Sequence, residues 1–405
     1  MGKKLIKTDE KKRFKVQFPK ILEENFAFSS IIDDFETFIE YARTSNIELS
    51  KNDIISIADC KKIYSMLSSK YIVTLSKPIQ KSYPDVVNLF ILFRISGLGE
   101  ITLKGNKVLL IVNPEMHEQW KNFSIWEKYF NLLALVHDHF SLEIMGEKSS
   151  FYDFTTGSRM IEFYKAQKLL YDKQRDYIYS SFEAKCFWIL LSQFGFAEVI
   201  FFEPEEGQKN IIKEIIIKDW GKTLIPILKA IAFIPYNSNN SPDFDYTDLF
   251  KTVFMNSLPE VKNGFDINEN SEIDGIFIFF VKLGSAQRTI SISSDALLDD
   301  LCCYILNCFG FDYDHMYMVT LKDRLGSKIQ YNGCPDMSYA NSPRTDEITL
   351  GELPLSIGSR MEYLYDFGDN WQFEIILESI TPKPHGLQNI EPKLLKSKGQ
   401  SPEQY

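Results

Sequence analysis

The sequence predicts an α+β protein in two parts, a mainly helical N-terminal region followed by a C-terminal α+β roll. Three observations predict this class. Apolar residues recur at helical spacing from about 28 to 235, and two segments of this region repeat a helix–strand–strand–helix order. After a polar stretch, the pattern changes to alternating strands around a single helix. A length of 405 residues also favours two or three domains.

Changes of composition divide the chain into four segments. Residues 1–27 form a basic N-terminal segment, 28–235 the helical region, 236–265 a linker rich in Asn, Ser, Asp and Pro, and 266–405 the C-terminal domain. A solvated terminus is the simpler interpretation of the basic segment. A phosphate-contacting arm is the alternative, and its candidate nucleic-acid contacts are Lys3, Lys4, Lys11, Lys12 and Arg13.

The repeated order is the clearest pattern of the helical region. The first copy reads helix, Gly97 stop, strand, Gly105-Asn106 turn, strand and helix. The second copy has the same order, with a Gly195 stop and a charged turn through Gly207. A helix followed by a two-stranded wing resembles winged-helix domains in pattern. Both wings are short of Arg and Lys, and the second carries acidic residues that would repel phosphate, namely Glu203, Glu205 and Glu206.

Three local predictions complete the helical region. Ser50 is the predicted N-cap of the helix in "SKNDIISIADCKKIYSML". Residues 162–191 are predicted to form one long helix or two abutting helices. His137 and His139 are two positions apart at the end of a helix and do not share a face, so no chelate is predicted from them.

Charge and cysteine usage restrict the class of protein. The net charge of -10 disfavours a uniformly basic nucleic-acid binder. Six cysteines without a C-x-x-C pair predict buried free thiols in a reducing cytosol. The sequence shows neither a signal-peptide core nor a stretch of the length that a membrane span needs. We therefore expect a cytoplasmic protein without membrane association and without a cofactor.

The C-terminal domain begins with two alternating strands, "GIFIFFVKL" and "QRTISIS", and an amphipathic helix capped by Ser294 or Asp295 and stopped by Gly310. "HMYMVTL" is a third strand, and a hairpin follows at 363–379, "YLYDFGDNWQFEIILES". Two strands, a helix and further strands indicate a roll that is β-grasp-like.

The hairpin contains Asp366-Phe367-Gly368, the same tripeptide that carries the magnesium-binding aspartate in protein kinases. No Gly-rich phosphate loop or His-Arg-Asp catalytic loop precedes it, so the kinase interpretation fails. Alternation after Trp371 gives one apolar face, and the aromatic residues from Tyr363 to Phe367 alternate in the same way before the turn. Gly368 is predicted to take a positive φ, with turn amides bonded by Asp366, Asp369 and Asn370.

Ordered motifs of residues 270–405 resemble the plasmid pRiA4b ORF-3-like family. The hairpin run matches at Tyr363, Tyr365, Asp366, Phe367, Gly368, Asp369, Trp371 and Glu378. A turn after the helix matches at Gly310, Phe311, Asp312, Asp314 and His315, and a strip before the hairpin matches at Thr349, Leu350, Glu352 and Leu353. The tail "KGQSPEQY" also looks like the family's ending. The resemblance implies an α+β fold and an association with plasmids and mobile elements, without an accepted activity.

Three residues in two motifs depart from the family pattern. Gln287, Arg288 and Thr289 stand where the family usually has Trp-Arg-Arg, and Phe373 stands where a histidine usually follows the hairpin tryptophan. If those residues form a polar site in relatives, this chain has lost part of it.

Two interpretations of the acidic motif residues stay open. Turn capping by the aspartates is the simpler one. The alternative is a divalent metal site for Mg²⁺ or Mn²⁺, built from Asp312, Asp314, His315, Asp366, Asp369 and Glu378. The sequence does not decide whether the two motifs meet.

The function favoured by the sequence is a non-catalytic interaction or adaptor protein. It would bind a protein or nucleoprotein partner, as an accessory of a mobile genetic element or a defence system. One alternative is a nucleic-acid-binding regulator that acts through the winged-helix-like units. The other is a metal-dependent enzyme that uses the Asp/His/Glu set. The oligomeric state is left open.

Overall fold

The computed structural model divides the chain into two compact units, residues 1–99 with 112–266 and residues 100–111 with 267–405. The residues described are 29–50, 53–68, 71, 73–104, 107–140, 142, 168–225, 228, 261–265, 273–322, 328–333, 343–383 and 390–404. The basic segment, most of the predicted linker, the turn at 105–106 and the side chains of 137–139 lie outside this description. Across the described residues, no helix is long and apolar enough to cross a membrane.

The elements of the N-terminal part alternate between helices and short strands. In chain order they are α1 (Ile31–Thr44), β1 (Ile47–Leu49), α2 (Ile57–Met66), α3 (Pro84–Ile95), β2 (Gly99–Lys104), β3 (Lys107–Val112), α4 (Pro114–Asn122), α5 (Ile125–His139), β4 (Lys168–Leu170), α6 (Tyr177–Ser180), α7 (Phe182–Gln193), β5 (Ala197–Phe201) and β6 (Ile212–Ile217). A further helical segment begins at 219.

Serine side chains begin several of these helices. The Ser56 hydroxyl accepts a hydrogen bond from the Asp59 amide at the start of α2, so the predicted cap at Ser50 is wrong. Ser124 and Glu127 form a reciprocal capping box at the start of α5. Such bonds satisfy amides that the first helical turn leaves without partners, and each contributes about 1 kcal/mol.

Residues 162–191 do not form one long helix over their described part, and the alternative of two abutting helices is present only from residue 177 on, as α6 and α7. Lys168–Leu170 is instead strand β4, which pairs antiparallel with β6, and the short helix α6 separates it from α7. A short apolar run is compatible with either a helix or a strand, and here pairing with β6 stabilises the strand.

The helix–strand–strand–helix order predicted for the two repeats is present in both. In the second repeat the strands follow the order β4–β6–β5. Helices α3 and α7 precede the paired strands and pack against each other. All twelve residues of α3 are buried, and the Asn88 amide on α3 donates to the Cys186 carbonyl on α7 at 2.9 Å. The equivalent helices of the two repeats therefore share one core.

Residues 261–265, the last part of the predicted linker, lie against helices of the first unit. Glu127 accepts hydrogen bonds from the amides of Lys262 and Asn263 at 2.9 and 2.8 Å. Asn131 bonds the Asn263 carbonyl and the Phe265 amide, and the Phe265 ring stacks 5.9 Å from Trp120. The segment is held by its backbone and by one aromatic anchor.

The second unit contains an antiparallel sheet and one long helix, which confirms the predicted α+β class. Its elements after residue 267 are β7 (Ile276–Leu283), β8 (Ala286–Ser293), α8 (Leu298–Phe309), β9 (Tyr317–Lys322), β10 (Lys328–Asn332), β11 (Arg360–Tyr365), β12 (Trp371–Thr381) and β13 (Lys393–Lys398). The seven strands follow the order β10–β9–β11–β12–β7–β8–β13. Strictly alternating burial along β7 shows that one face of the sheet is covered.

Helix α8 covers that face with its apolar side. Leu301, Ile305 and Leu306 are fully buried in one cluster with alternate residues of the strands. The helix is preceded by Leu297, whose amide donates to Asp300, so the predicted caps Ser294 and Asp295 are wrong. Gly310 ends the helix with φ +77°, a left-handed conformation that glycine adopts without strain. This ending directs the chain into the corner before β9.

Candidate functional site

The candidate site lies where the corner after α8 meets the turn of the β11–β12 hairpin. Strand β9 pairs with β11 so that Tyr317 is opposite Tyr365, the last residue before the turn. The Asp366 amide continues this pairing by donating to the Met316 carbonyl at 3.0 Å. Strand register therefore brings the two motifs together, although some 50 residues separate them in sequence.

The Tyr365 hydroxyl is the centre of this site. It donates to the Asp312 carbonyl at 2.6 Å and accepts from the amides of Asp314 and His315 at 3.0 and 3.1 Å. The Asp314 carboxylate lies 3.0 Å from the same oxygen. One phenol has a single donor and two acceptor sites, and these contacts use all of them. Tyr365 therefore fixes the backbone of the corner rather than presenting a reactive hydroxyl.

Asp366 shapes the hairpin turn. Its φ is +54° and that of Asn370 is +58°, whereas Gly368 does not have a positive φ, so the prediction for Gly368 is wrong. Asp and Asn tolerate this conformation because their short side chains bond the local backbone. Asp366 Oδ1 accepts from the Gly368 amide at 2.8 Å and lies 3.4 Å from the Asp369 amide. One carboxylate oxygen thus caps the turn.

The other oxygen of Asp366 points towards His315. Asp366 Oδ2 lies 3.5 Å from His315 Nε2, and Asp314 Oδ1 lies 2.7 Å from His315 Nδ1. The hydrogen bond to Asp314 raises the pKa of His315, and the charges of Asp366 and Asp369 act in the same direction. The doubly protonated ring can donate to both carboxylates, so this arrangement favours the imidazolium form.

The same geometry does not assemble the predicted metal set. The two carboxylates approach different ring nitrogens, so they lie on different edges of His315 and do not converge with it on one point. Glu378 lies at a register shift of β12, seven residues beyond Trp371, which is about 23 Å along a strand. Within the described parts of the chain, no group of three or more His, Cys, Asp or Glu side chains is placed to hold a metal.

Trp371 and Phe367 differ in their roles. The Trp371 ring packs edge-on against Phe311 at 5.1 Å, which joins the hairpin to the corner. Phe367 does not continue the buried alternation of Tyr363 and Tyr365 as predicted, because β11 ends at Tyr365 and Phe367 lies in the turn, 46% exposed. Phe373, where the family usually has histidine, is buried and stacks on Tyr363 at 5.2 Å.

A second polar cluster lies beside the corner and was not predicted from the sequence. The Tyr317 hydroxyl bonds the Asp299 carboxylate and lies 3.0 Å from the Thr345 hydroxyl. Tyr313 also donates to Asp299, at 2.7 Å. Burial raises the pKa of Tyr317 far above its usual range, so it stays a neutral donor. Nothing in the spacing of these residues indicates that they meet, because three separate elements supply them.

Arg288 is the other residue whose role was missed. It is 7% exposed, and its guanidinium donates to the Cys308 carbonyl at 2.9 Å and to the Ser401 hydroxyl at 2.8 Å. Further contacts of 3.3 Å reach the carbonyls of Lys398 and Gly399. The tail also reaches the corner, since Gln404 accepts from the Asp312 amide at 2.6 Å. The C-terminal tail is therefore part of the site's support.

Three large apolar side chains on the corner and the adjoining turn are exposed. Tyr313 is 46% exposed and Met316 is 37% exposed, and Phe367 is similarly exposed on the adjoining turn. They flank the acidic residues Asp314 and Asp366. Exposed apolar side chains mark interaction surfaces where they adjoin one another in a patch, whereas single ones need no explanation.

The two buried tyrosines of β11 give a matched test of this network. Replacing Tyr365 by phenylalanine leaves two amides and a carbonyl without their partner, and we expect a loss of about 1–3 kcal/mol in the free energy of unfolding. The Tyr363 hydroxyl is buried and has no hydrogen-bond partner within the described structure, so Tyr363→Phe should be neutral or stabilising. Urea unfolding of both variants checks this, and an equal loss in the two would contradict it.

Two histidines are expected to titrate on opposite sides of the ordinary value of 6.5. The pKa of His315 is raised by Asp314, whereas desolvation lowers that of His117. The stabilisation by His315 is therefore complete below 6.5 and is lost as the pH rises through its raised pKa. NMR titration of the two rings checks the pKa values. Hydrogen exchange of the hairpin turn should accelerate over that range in the wild type, beyond the intrinsic pH effect, but not in His315→Gln.

These features define the class as an α+β roll whose hairpin turn and helix–strand corner form one polar cluster. The family described as plasmid pRiA4b ORF-3-like protein matches residues 283–404, which confirms the resemblance for the C-terminal third of the chain. A crystal structure of a protein of unknown function, MM3350 from Methanosarcina mazei Go1, is similar at 18% identity, with a TM-score of 0.28, over 32% of this chain and 72% of that one. No curated protein matches the chain.

Proposed function

We propose that the protein is a non-catalytic adaptor that binds a protein partner through the corner and turn of its C-terminal domain, as an accessory of a mobile genetic element or a defence system. The observation that carries this proposal is the set of exposed apolar side chains on the bonded corner, Tyr313, Met316 and Phe367. The link to mobile elements is supported by the plasmid-named family that matches residues 283–404.

The use of the polar groups favours binding over catalysis. A general acid or base needs a proton that it can exchange with a substrate. At the corner, the Tyr365 hydroxyl bonds backbone groups, Asp366 caps the turn, and the ring of His315 lies between two carboxylates. Each group has a structural partner in the folded protein, which suits a preorganised surface.

The charge of the surface indicates its partner. The apolar side chains are interspersed with Asp312, Asp314, Asp366 and Asp369, and His315 between them is positively charged when its ring is protonated. A partner whose binding surface has an apolar centre surrounded by basic residues would complement this surface, because opposite charges at the rim of an interface direct association.

The nucleic-acid alternative receives less support from the winged-helix-like repeats. In that class of domain, the helix before the wing is the one that enters a groove. Here α3 is buried at all twelve positions and packs on α7. The Gly207 amide of the second wing donates to the Thr74 carbonyl at 3.0 Å, so that wing also has an internal contact.

Site-specific photocrosslinking tests the proposal. A benzoylphenylalanine at Phe367 should form a discrete adduct in cells that naturally carry the protein, and Phe367→Ser should weaken binding of the captured partner at least tenfold. Phe202, in the other unit and 40% exposed, is the matched control and should give no discrete adduct.

Three outcomes would count against this function. Equal crosslinking from the two positions would contradict a specific corner surface. Turnover of a substrate that is lost in His315→Gln would support the enzyme alternative. Affinity for a DNA duplex that falls steeply with salt would favour the nucleic-acid alternative.

A further inference from the structure

The edge strand β13 is the most exposed regular element of the second unit. It is the last strand in the sheet order, and within the described structure it pairs on one side only, with β8. All six of its residues are exposed, including Leu394 at 42% and Leu395 at 49%. A strand in this position presents a row of backbone donors and acceptors to a further strand.

Despite this exposure, the far end of β13 is firmly attached. Arg288 Nη1 contacts the carbonyls of Lys398 and Gly399, and Arg288 Nη2 donates to the Ser401 hydroxyl. The cation also lies 4.6 Å from the centre of the Phe309 ring. An edge that is fixed before binding costs less entropy to occupy than a frayed one.

The charge of this edge is uniformly positive. Lys393, Lys396 and Lys398 pair with Ser291, Thr289 and Gln287, and paired positions share a face of the sheet. Neither β13 nor β8 contains an acidic residue. Among the described residues, none of the three lysines has an ion-pair partner. In a chain with net charge -10, this edge is a local basic strip.

A second copy of the chain is a poor occupant of the edge. Antiparallel pairing of two β13 strands would place Lys393 opposite Lys398, and parallel pairing in register would place each lysine opposite itself. Like charges directly opposite each other destabilise a strand pair. Lysines at an edge thus oppose self-association but attract an acidic strand.

We propose that β13 is the docking site for an extended acidic segment of a partner protein, which adds to the sheet as an eighth strand. Main-chain hydrogen bonds would supply affinity, the three lysines would select acidic side chains, and the exposed leucines would contact apolar ones. A single-stranded nucleic acid fits less well, because β13 and β8 offer no aromatic ring for base stacking. This surface is separate from the corner, and neither proposal depends on the other.

Fluorescence anisotropy with the full chain tests the docking site. The probe is a labelled ten-residue peptide in which Glu alternates with Val, and its controls are a Lys/Val peptide, an N-methylated Glu/Val peptide and a labelled single-stranded oligonucleotide. The Glu/Val peptide should bind at least tenfold more tightly than either peptide control, and it should slow hydrogen exchange at 393–398.

Charge reversal supplies the matched variants. Changing Lys393, Lys396 and Lys398 to Glu should weaken Glu/Val binding at least tenfold, whereas Phe367→Ser should leave it within twofold. The same reversal at Lys61, Lys62 and Lys209, which are exposed in the first unit, changes the net charge equally and should also leave it within twofold. Equal binding of the N-methylated peptide would overturn strand addition. Equal loss in both reversed variants, or tighter binding of the oligonucleotide, would overturn the acidic-peptide assignment.

Discussion

Replacing Arg288 by methionine is expected to destabilise the C-terminal domain by about 3 kcal/mol or more. The methionine keeps apolar contact with Phe309 but removes the donors that reach the end of α8 and the tail at Ser401. Hydrogen bonds from a charged donor contribute about 1.5–3 kcal/mol each, and several are lost together. Urea unfolding measures the loss, and hydrogen exchange should show that β13 opens before the rest of the sheet.

Arg360 provides the control for this prediction. It lies on β11 of the same sheet, and its ion pair with Glu374 is 3.8 Å long at a partly exposed position. Arg360→Met should change the free energy of unfolding by only about 0.5 kcal/mol. Similar effects of the two substitutions would show that Arg288 does not hold the tail. Arg288→Lys should recover little of the loss, because an ammonium group cannot reproduce the planar fork.

Gly333→Ala is expected to cost about 3 kcal/mol or more, because an added Cβ would lie 1.9 Å from Cζ of Tyr317. The ring has no room to withdraw. Its hydroxyl is fixed by Asp299 and Thr345, and the centre of its ring lies 5.2 Å from that of Tyr363 in an edge-to-face arrangement. Relief of the clash would therefore break the polar cluster beside the corner, and thermal unfolding should show a lower Tm.

Gly368→Ala is the comparison for that substitution. Its added Cβ would lie 3.2 Å from Asp366 Oδ1, and its φ is not positive, so we expect a loss of about 1 kcal/mol or less. A loss at Gly368 as large as that at Gly333 would contradict the steric explanation. It would indicate instead that any side chain on these connections is harmful.

The strands of the hairpin could be predicted from the sequence, but the conformation of its turn could not. Alternation from Trp371 to Leu377 predicted β12, and the aromatic positions before the turn predicted β11. The positive φ of the turn was predicted at Gly368, because glycine is the residue that most often adopts this conformation. Asp366 takes that conformation here, since its carboxylate bonds two amides beyond it.

The meeting of the corner and the turn required the structure. The motif resemblance selected Asp314, His315 and Asp366, but only the pairing of β9 with β11 sets them side by side. Arg288 lies between Gln287 and Thr289, the two residues of that motif that depart from the family pattern. Its partners come from β13 and the tail, more than 100 residues later, and no local pattern encodes such a contact.

The shared core of α3 and α7 determines what can be separated in this protein. Every residue of α3 is buried, and α7 packs against this helix. Each of the two helices therefore covers apolar surface of the other. Cutting the chain between the repeats would transfer α3 from protein to solvent. The helices α3 and α7 are consequently parts of one core, and we expect a variant reduced to a single repeat to aggregate rather than fold as an independent module.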